Sequence, residues 1–316
     1  MPLSLLTNIV LKAIANLATL EGSTFAEIES YCNSNYDGTI DKKSLSRAIK
    51  AGVKARFIEK SGTSYKLGEK IERFEYRGII LKTGHLHLNK YLKAMNEAPK
   101  WRKWVDYLLE QDNIVVKSFS LTDVDFFGPI QPNRLGFFKG KCDAYDKRTN
   151  EKIVSNIVFG RGGCVACLVI CTTVIDEVEK RLVVMTEQTR VPSGGVRIES
   201  MAGMLDASTG NFLGPVVNEL EEELGIKINE SDSRLKTLGE PAWPSPGGSD
   251  ETIGFFSLDI KITSEEYTRM STGTYGKKGE DYGIRIKFYD YDTFPTHFGK
   301  IGDMKTEVMW GRYHSV

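Results

Sequence analysis

The chain has 316 residues, and its 42 Lys and Arg are balanced by 42 Asp and Glu, so it lacks the overall basic bias of a dedicated nucleic-acid binder. A hydrophobic share of 41% beside 27% charged residues excludes wholesale disorder, and the length predicts two domains. No apolar run approaches the roughly 20 residues that span a bilayer, so no membrane segment is expected. Five cysteines, an odd number, suit a reducing, intracellular address in cytoplasm or nucleus.

In chain order, Leu6, Ile9, Val10, Ala13, Ile14 and Leu17 recur at three-and-four spacing and predict an amphipathic helix ending near Glu21-Gly22. Thr24 with Glu27 is a capping-box pattern that opens a second helix, and Asp41 is the expected N-cap of a third, DKKSLSRAIKAGVKA. RFIEK and SYKLG, separated by Ser61-Gly62-Thr63, read as a hairpin. On the third helix Lys43, Arg47, Lys50 and Lys54 share one face, opposite Leu45, Ala48, Ile49 and Val53. Residues 1–70 hold ten Lys and Arg against seven Asp and Glu, a mild local surplus. The stretch from Asn33 to Asp41 imitates the start of a calcium loop. Ser44 stands where the closing bidentate Glu is required, so an inter-helix turn explains it better.

AIANLATLEGSTFAEIESYCNSNY followed by LSRAIKAGVKARFIEKSGTSYKLG resembles the globular winged-helix domain of linker histones. That resemblance implies a DNA or RNA contact through Lys43, Arg47, Lys50 and Lys54, made to phosphates and therefore salt-sensitive; a protein-docking role is the alternative. Residues 71–115 read as a helical connector, in which Trp101, Trp104, Val105, Leu108 and Leu109 form an apolar stripe after Pro99. From about 116 to 316 the texture turns to β-branched strands with Gly-containing turns, a mixed α/β (α+β) domain. Within it GRGGCVACLVIC is expected to be a buried strand rather than a zinc half-site, because no second cysteine pair has zinc spacing.

The most informative stretch is ESMAGMLDASTGNFLGPVVNELEEELGIKI, residues 199–228. Pro215 suits the first turn of a helix and Gly225 its end, with Val217, Leu220 and Leu224 facing inward. Glu219, Glu222 and Glu223 fall at i, i+3 and i+4, where like charges repel unless a hard cation such as Mg²⁺ compensates them.

This segment resembles the Nudix box, whose second half is Arg-Glu-apolar-x-Glu-Glu-x-Gly-apolar. Residues 218–226 match it, with Asn218 in place of Arg. Gly203 stands one residue further out than the strict pattern, and Gly210 replaces the first Glu. TEQTRVPSGG, AGMLD and WPSPGGSDE resemble the branch of UDP-glucose and ADP-sugar pyrophosphatases.

The resemblance implies a Nudix α/β/α sandwich with a mixed sheet, preceded by a small winged-helix domain, and assembly as a homodimer. It implies hydrolysis of a nucleoside diphosphate sugar with Mg²⁺ or Mn²⁺ held by the Ala202 carbonyl, Glu219, Glu222 and Glu223. Arg190, Glu187, Gly203, Ser245 and Gly247 would contact substrate, and Glu280 or Asp281 would supply the general base. Asn218 cannot make the fork of hydrogen bonds that Arg makes, so a weakened fold that binds nucleotide sugars without turnover is the alternative.

Overall fold

The computed structural model describes residues 4–17, 22–36, 40–154, 156–205, 213–276 and 283–315. They divide into two compact units, Met1–Gly162 with Ser245–Asp250, and Gly163–Pro244 with Glu251–Val316. Among the described residues no helix is long and apolar enough to cross a membrane.

The first unit opens with α1 (Leu5–Leu17), β1 (Ser23–Thr24), α2 (Phe25–Asn35), α3 (Lys42–Lys54), β2 (Ile58–Ser61) and β3 (Ser64–Leu67). The caps lie where the side chains dictate. The Glu27 amide donates to Thr24 Oγ1 at 3.3 Å while the Thr24 amide donates to Glu27 Oε2 at 2.7 Å, and Asp41 Oδ1 receives the Ser44 amide at 2.9 Å. Strands β1, β3 and β2 form a small antiparallel sheet in that order. Leu45, Ala48 and Ile49 of α3 are buried, whereas Lys43, Arg47, Lys50 and Lys54 are exposed.

Next come β4 (Phe74–Tyr76), β5 (Ile79–Thr83), α4 (Asn89–Glu97), α5 (Pro99–Leu109), β6 (Ile114–Phe126), β7 (Leu135–Asp146) and β8 (Ile157–Gly160). Residues 71–115 are thus more than the helical connector expected from sequence. β4 and β5 pair into one sheet of order β4-β5-β6-β7-β8, antiparallel except at β5–β6. Short strands of this kind, with Phe74 and Ile79–Leu81 as their apolar content, are specified by partners distant in sequence and not by local periodicity. Trp101 of α5 is fully buried against Phe119 and Phe138, with ring centroids 5.1 and 5.7 Å away. The 116 boundary expected for the second domain falls inside β6, and the whole sheet belongs to the first unit.

Helix α1 is fastened to this sheet. Ser120 Oγ donates to the Ala15 carbonyl at 2.7 Å, and Lys152 Nζ donates to the Leu17 carbonyl at 3.1 Å while lying 3.4 Å from the buried Asp143 carboxylate. Two of the carbonyls that a helix C-terminus leaves open are satisfied in this way. Gly84 allows the approach, since a β-carbon there would collide with the Leu11 carbonyl and the Ala15 methyl. Gly84→Val is therefore expected to destabilise the protein by about 2 kcal/mol through overpacking, read as a lower urea midpoint. An unchanged midpoint would show that α1 does not need this contact.

The second unit contains β9 (Cys164–Ile175), β10 (Val178–Arg190), β11 (Gly195–Glu199), β12 (Met201–Met204), α6 (Leu213–Leu224), β13 (Leu235–Thr237), β14 (Ile253–Lys261), α7 (Ser264–Thr272), β15 (Arg285–Asp290), α8 (Phe298–Ile301) and α9 (Met304–Tyr313). The described strands make a mixed sheet of order β11-β10-β9-β14-β13, with β12 also on β9 and β15 also on β10; β9 and β14 are parallel. Alternate residues of β9 serve opposite faces. Val165, Cys167, Val169 and Cys171 pack with Val216, Leu220 and Leu224 of α6 and Met270 of α7, whereas Ala166, Leu168 and Ile170 pack with Phe294 and with Met309 of α9. Helices on both faces of a mixed sheet make an α/β/α sandwich, and burial on both sides explains why β9 reads as a nearly continuous apolar run. All five cysteines are buried, and none forms a disulfide.

Candidate active site

Helix α6 carries the acidic cluster and ends as its sequence requires. Gly225 has φ 68°, and the Ile226 amide donates to the Leu220 carbonyl at 2.9 Å while the Gly225 amide donates to the Glu221 carbonyl at 3.0 Å, a left-handed C-terminal cap. Val216, Leu220 and Leu224 form the inward stripe; the sequence expectation of Val217 in that role is corrected to Val216, which leaves Val217 half-buried.

The three carboxylates do not share one environment. Glu223 is 2% exposed, Glu219 is half-buried beside it, and Glu222 is exposed. Both oxygens of Glu223 are buried without a hydrogen-bond partner. Burial, reinforced by the Glu219 carboxylate, pushes its pKa up to about 8, although Arg190 pulls the other way. Among the described residues no group of three or more His, Cys, Asp or Glu side chains is arranged to hold a metal ion; the Glu219 carboxylate acts on Glu223, and Glu222 is exposed.

Glu219 lies in a notch made by a missing side chain. Gly203 sits on β12 opposite Val165, and a β-carbon there would occupy the space of the Glu219 carboxylate. Ala202 precedes it on the same strand and pairs with Ala166.

Arg190 closes β10, and its Nε lies 2.6 Å from Glu199 Oε1. Lys305 Nζ reaches the other Glu199 oxygen at 3.0 Å and Asp303 at 2.8 Å. Burial alone would lower the Lys305 pKa, but Asp303 and Glu199 outweigh it and raise the value. Asp303 also receives the Ser200 amide at 3.0 Å and the Thr306 hydroxyl at 2.7 Å. Glu199, Asp303 and Lys305 were not singled out from sequence. Glu199 stands three residues before Ala202 in ESMAG, and that adjacency was the available signal; Lys305, more than a hundred residues later, offered none.

Glu187 is paired with Lys287 at 3.3 Å across β10 and β15. Ser245 and Gly247 belong to the first unit, in an exposed turn closed by Gly248 and Ser249 amides donating to the Ser245 carbonyl at 3.2 and 3.1 Å. Glu280, Asp281 and Gly210 lie outside the described residues. The residues that flank Glu280 and Asp281 are described: the Tyr275 amide donates to the Ile284 carbonyl at 2.9 Å, and the Gly276 amide donates to the Glu222 carbonyl of α6 at 3.0 Å.

No family model matches the chain. The chain is 33% identical over 212 residues to "Nudix hydrolase 14, chloroplastic" of Arabidopsis thaliana, a match covering 65% of this chain and 65% of that protein, so the chain spans just under two thirds of its relative. A solved structure titled "Crystal structure of ADP compounds hydrolase" is 12% identical with a TM-score of 0.34, covering 60% of this chain and 86% of that one.

Proposed function

We propose that this chain is a Nudix hydrolase that cleaves the diphosphate of a nucleoside diphosphate sugar, of ADP-ribose, ADP-glucose or UDP-glucose type, to a nucleoside monophosphate and a sugar phosphate. The observation that carries this reading is Glu223, a carboxylate 2% exposed with neither oxygen hydrogen-bonded, next to Glu219 on a helix whose sequence resembles the Nudix box. An acid buried in that state is costly unless a ligand meets it. Its donors suit a hard cation, since Mg²⁺ characteristically takes one or two carboxylates and fills its remaining positions with water and substrate phosphate.

Mg²⁺ or Mn²⁺ would be held by the Ala202 carbonyl, Glu219 and Glu223, with Glu222 as a further ligand. When bound, a divalent cation neutralises diphosphate charge and acidifies a coordinated water. To ligate such a cation Glu223 would have to give up its proton. Arg190, held by Glu199, presents a guanidinium suited to a phosphate oxygen, and Lys305 grips the other Glu199 oxygen so that Arg190 stays in place. Glu280 or Asp281 is the proposed base that takes the proton of the attacking water. Glu187 is a weaker candidate for substrate contact because Lys287 engages it. Release of nucleoside monophosphate from a panel of nucleoside diphosphate sugars with Mg²⁺ tests the proposal, and background-level release from every member would overturn it.

A second reading, a nucleotide-sugar-binding module without turnover, is favoured by one observation: Asn218 replaces the box Arg and is exposed. Calorimetric binding with no product would select it.

The N-terminal element order and the exposed cations of α3 support a winged-helix module that contacts DNA or RNA. Retention of the full chain on DNA or RNA is expected to weaken about tenfold when Arg47 and Lys50 are both changed to Glu, and to fall steeply with salt. Binding that ignores salt would instead favour a protein partner. A homodimer and a cytoplasmic or nuclear location complete the proposal.

A further inference from the structure

We infer that the side-chain amide of Gln188 contacts the diphosphate of the substrate, donating to one of its oxygens beside Arg190; this rests on the functional reading above and adds a residue to that site. Gln188 is 7% exposed, yet its Nε2 has no hydrogen-bond partner among the described residues. A buried donor left in that state costs stability, so its retention needs a reason.

The surroundings decide what the missing acceptor is. Side chains alternate along β10, so Gln188 shares a face with Leu182, Val184, Thr186 and Arg190, and Leu182 and Val184 pack there with Leu220 and Leu224 of α6. That face changes character along the strand. It is apolar at Leu182 and Val184, polar but satisfied at Thr186, whose hydroxyl donates to the Glu199 carbonyl at 3.1 Å, then unsatisfied at Gln188 and cationic at Arg190. β15 accompanies β10 only as far as Glu187, and of the described strands β11 alone pairs with residues 188–190. Directly opposite Gln188 on β11 stands Arg197, whose Nε donates to Ser193 Oγ at 2.9 Å. A guanidinium offers no acceptor. The Glu199 carboxylate is already engaged, one oxygen by Arg190 at 2.6 Å and the other by Lys305 at 3.0 Å. An unused donor between two arginine positions suits an anion rich in oxygen, and a diphosphate is such a group. The same Arg190 acts on Glu223, so amide, guanidinium and buried acid belong to one end of the face beneath α6.

The test compares wild type with Gln188→Met, which keeps the side chain's length and removes the amide, and with Gln188→Leu in case the thioether packs badly. Steady-state kinetics of the full chain on ADP-ribose, ADP-glucose and UDP-glucose with Mg²⁺ are measured, together with inhibition by ADP and melting of the ligand-free protein. A contact made equally before and during reaction moves KM alone, so KM is expected to rise about tenfold while kcat stays within about threefold. ADP, which carries the diphosphate without the sugar, is expected to inhibit the variants about tenfold more weakly. The ligand-free variants are expected to melt about 2–4 °C higher, because an unsatisfied donor has left the interior. Unchanged KM, or equal inhibition of wild type and variants by ADP, would overturn the inference. So would a melting temperature that rises in neither variant, the mark of a glutamine that serves the fold. Should wild type neither hydrolyse nor bind any of these nucleotides, the functional reading itself fails and this contact with it, a result separate from the others.

Discussion

Glu223→Gln is expected to lower turnover about a thousandfold while making the metal-free protein more stable at pH 8. Both effects follow from one buried acid. Its pKa in the folded chain is raised from 4.5 to about 8, so between those values the folded state keeps a proton that the unfolded state has lost. Stability therefore falls as pH rises through that window, and the loss is complete once pH passes about 8. Gln has nearly the same shape and cannot ionise, so the variant lacks this slope and is the more stable protein at the alkaline end. Near pH 5 the two proteins should melt alike. The same sign governs the proposed cation: wild type is expected to release a proton on binding Mg²⁺ below about pH 8, so that its apparent affinity should rise with pH up to that point and then level. Melting curves at pH 5 and 8, with turnover at saturating Mg²⁺, check both. A variant that hydrolyses at the wild-type rate, or melts no higher than wild type at pH 8, would remove Glu223 from the centre of the site.

The parts of the molecule that were legible in the sequence are those governed by neighbours a few residues away. Thr24 with Glu27, Asp41 and the Gly225 cap each satisfy local backbone groups, and each marks a helix end in the structure. The apolar run of β9 was readable because burial on both faces leaves no polar alternation. What the sequence hid depends on distance. β4 and β5 are only three and five residues long, too short to show a period, and β5 is held by its pairing with β6. Lys305 reaches Glu199 across more than a hundred residues, so neither revealed its role alone. The acidic trio of α6 was visible as spacing, but spacing could not tell that Glu223 would be enclosed and Glu222 left in water. That division is set by the sheet beneath the helix, where β12 brings Gly203 against Glu219.

Loss of the box Arg need not leave the acids without a cation. Asn218 is exposed, whereas the Arg190 guanidinium at the end of β10 favours the ionised form of Glu223. Arg190 is tied to Glu199, which is tied in turn to Lys305 and through it to Asp303 at the start of α9. A chain of alternating charges, mostly shielded from water, holds orientation better than a single exposed pair. This network gives the domain a fixed positive group beside Glu223 despite the altered box.

Gly203→Ala should cost nearly as much activity as removing Glu219, about a hundredfold in kcat, although it changes no ionisable group. The added methyl would stand where the Glu219 carboxylate now lies, so the acid must leave the notch beside β12. The fold has little reason to fail, because Gly203 is half-buried and its backbone pairing with Val165 does not involve the new atom. If displacement of Glu219 is the whole cause, the double variant Gly203→Ala with Glu219→Ala should be no worse than Glu219→Ala alone. A double-mutant cycle on kcat, accompanied by melting temperatures, measures this directly. Additive losses would mean that Gly203 acts through something other than the seat of Glu219. An active Gly203→Ala single variant would mean that Glu219 can work from a second position, and that its lodging in the notch is not the catalytic arrangement.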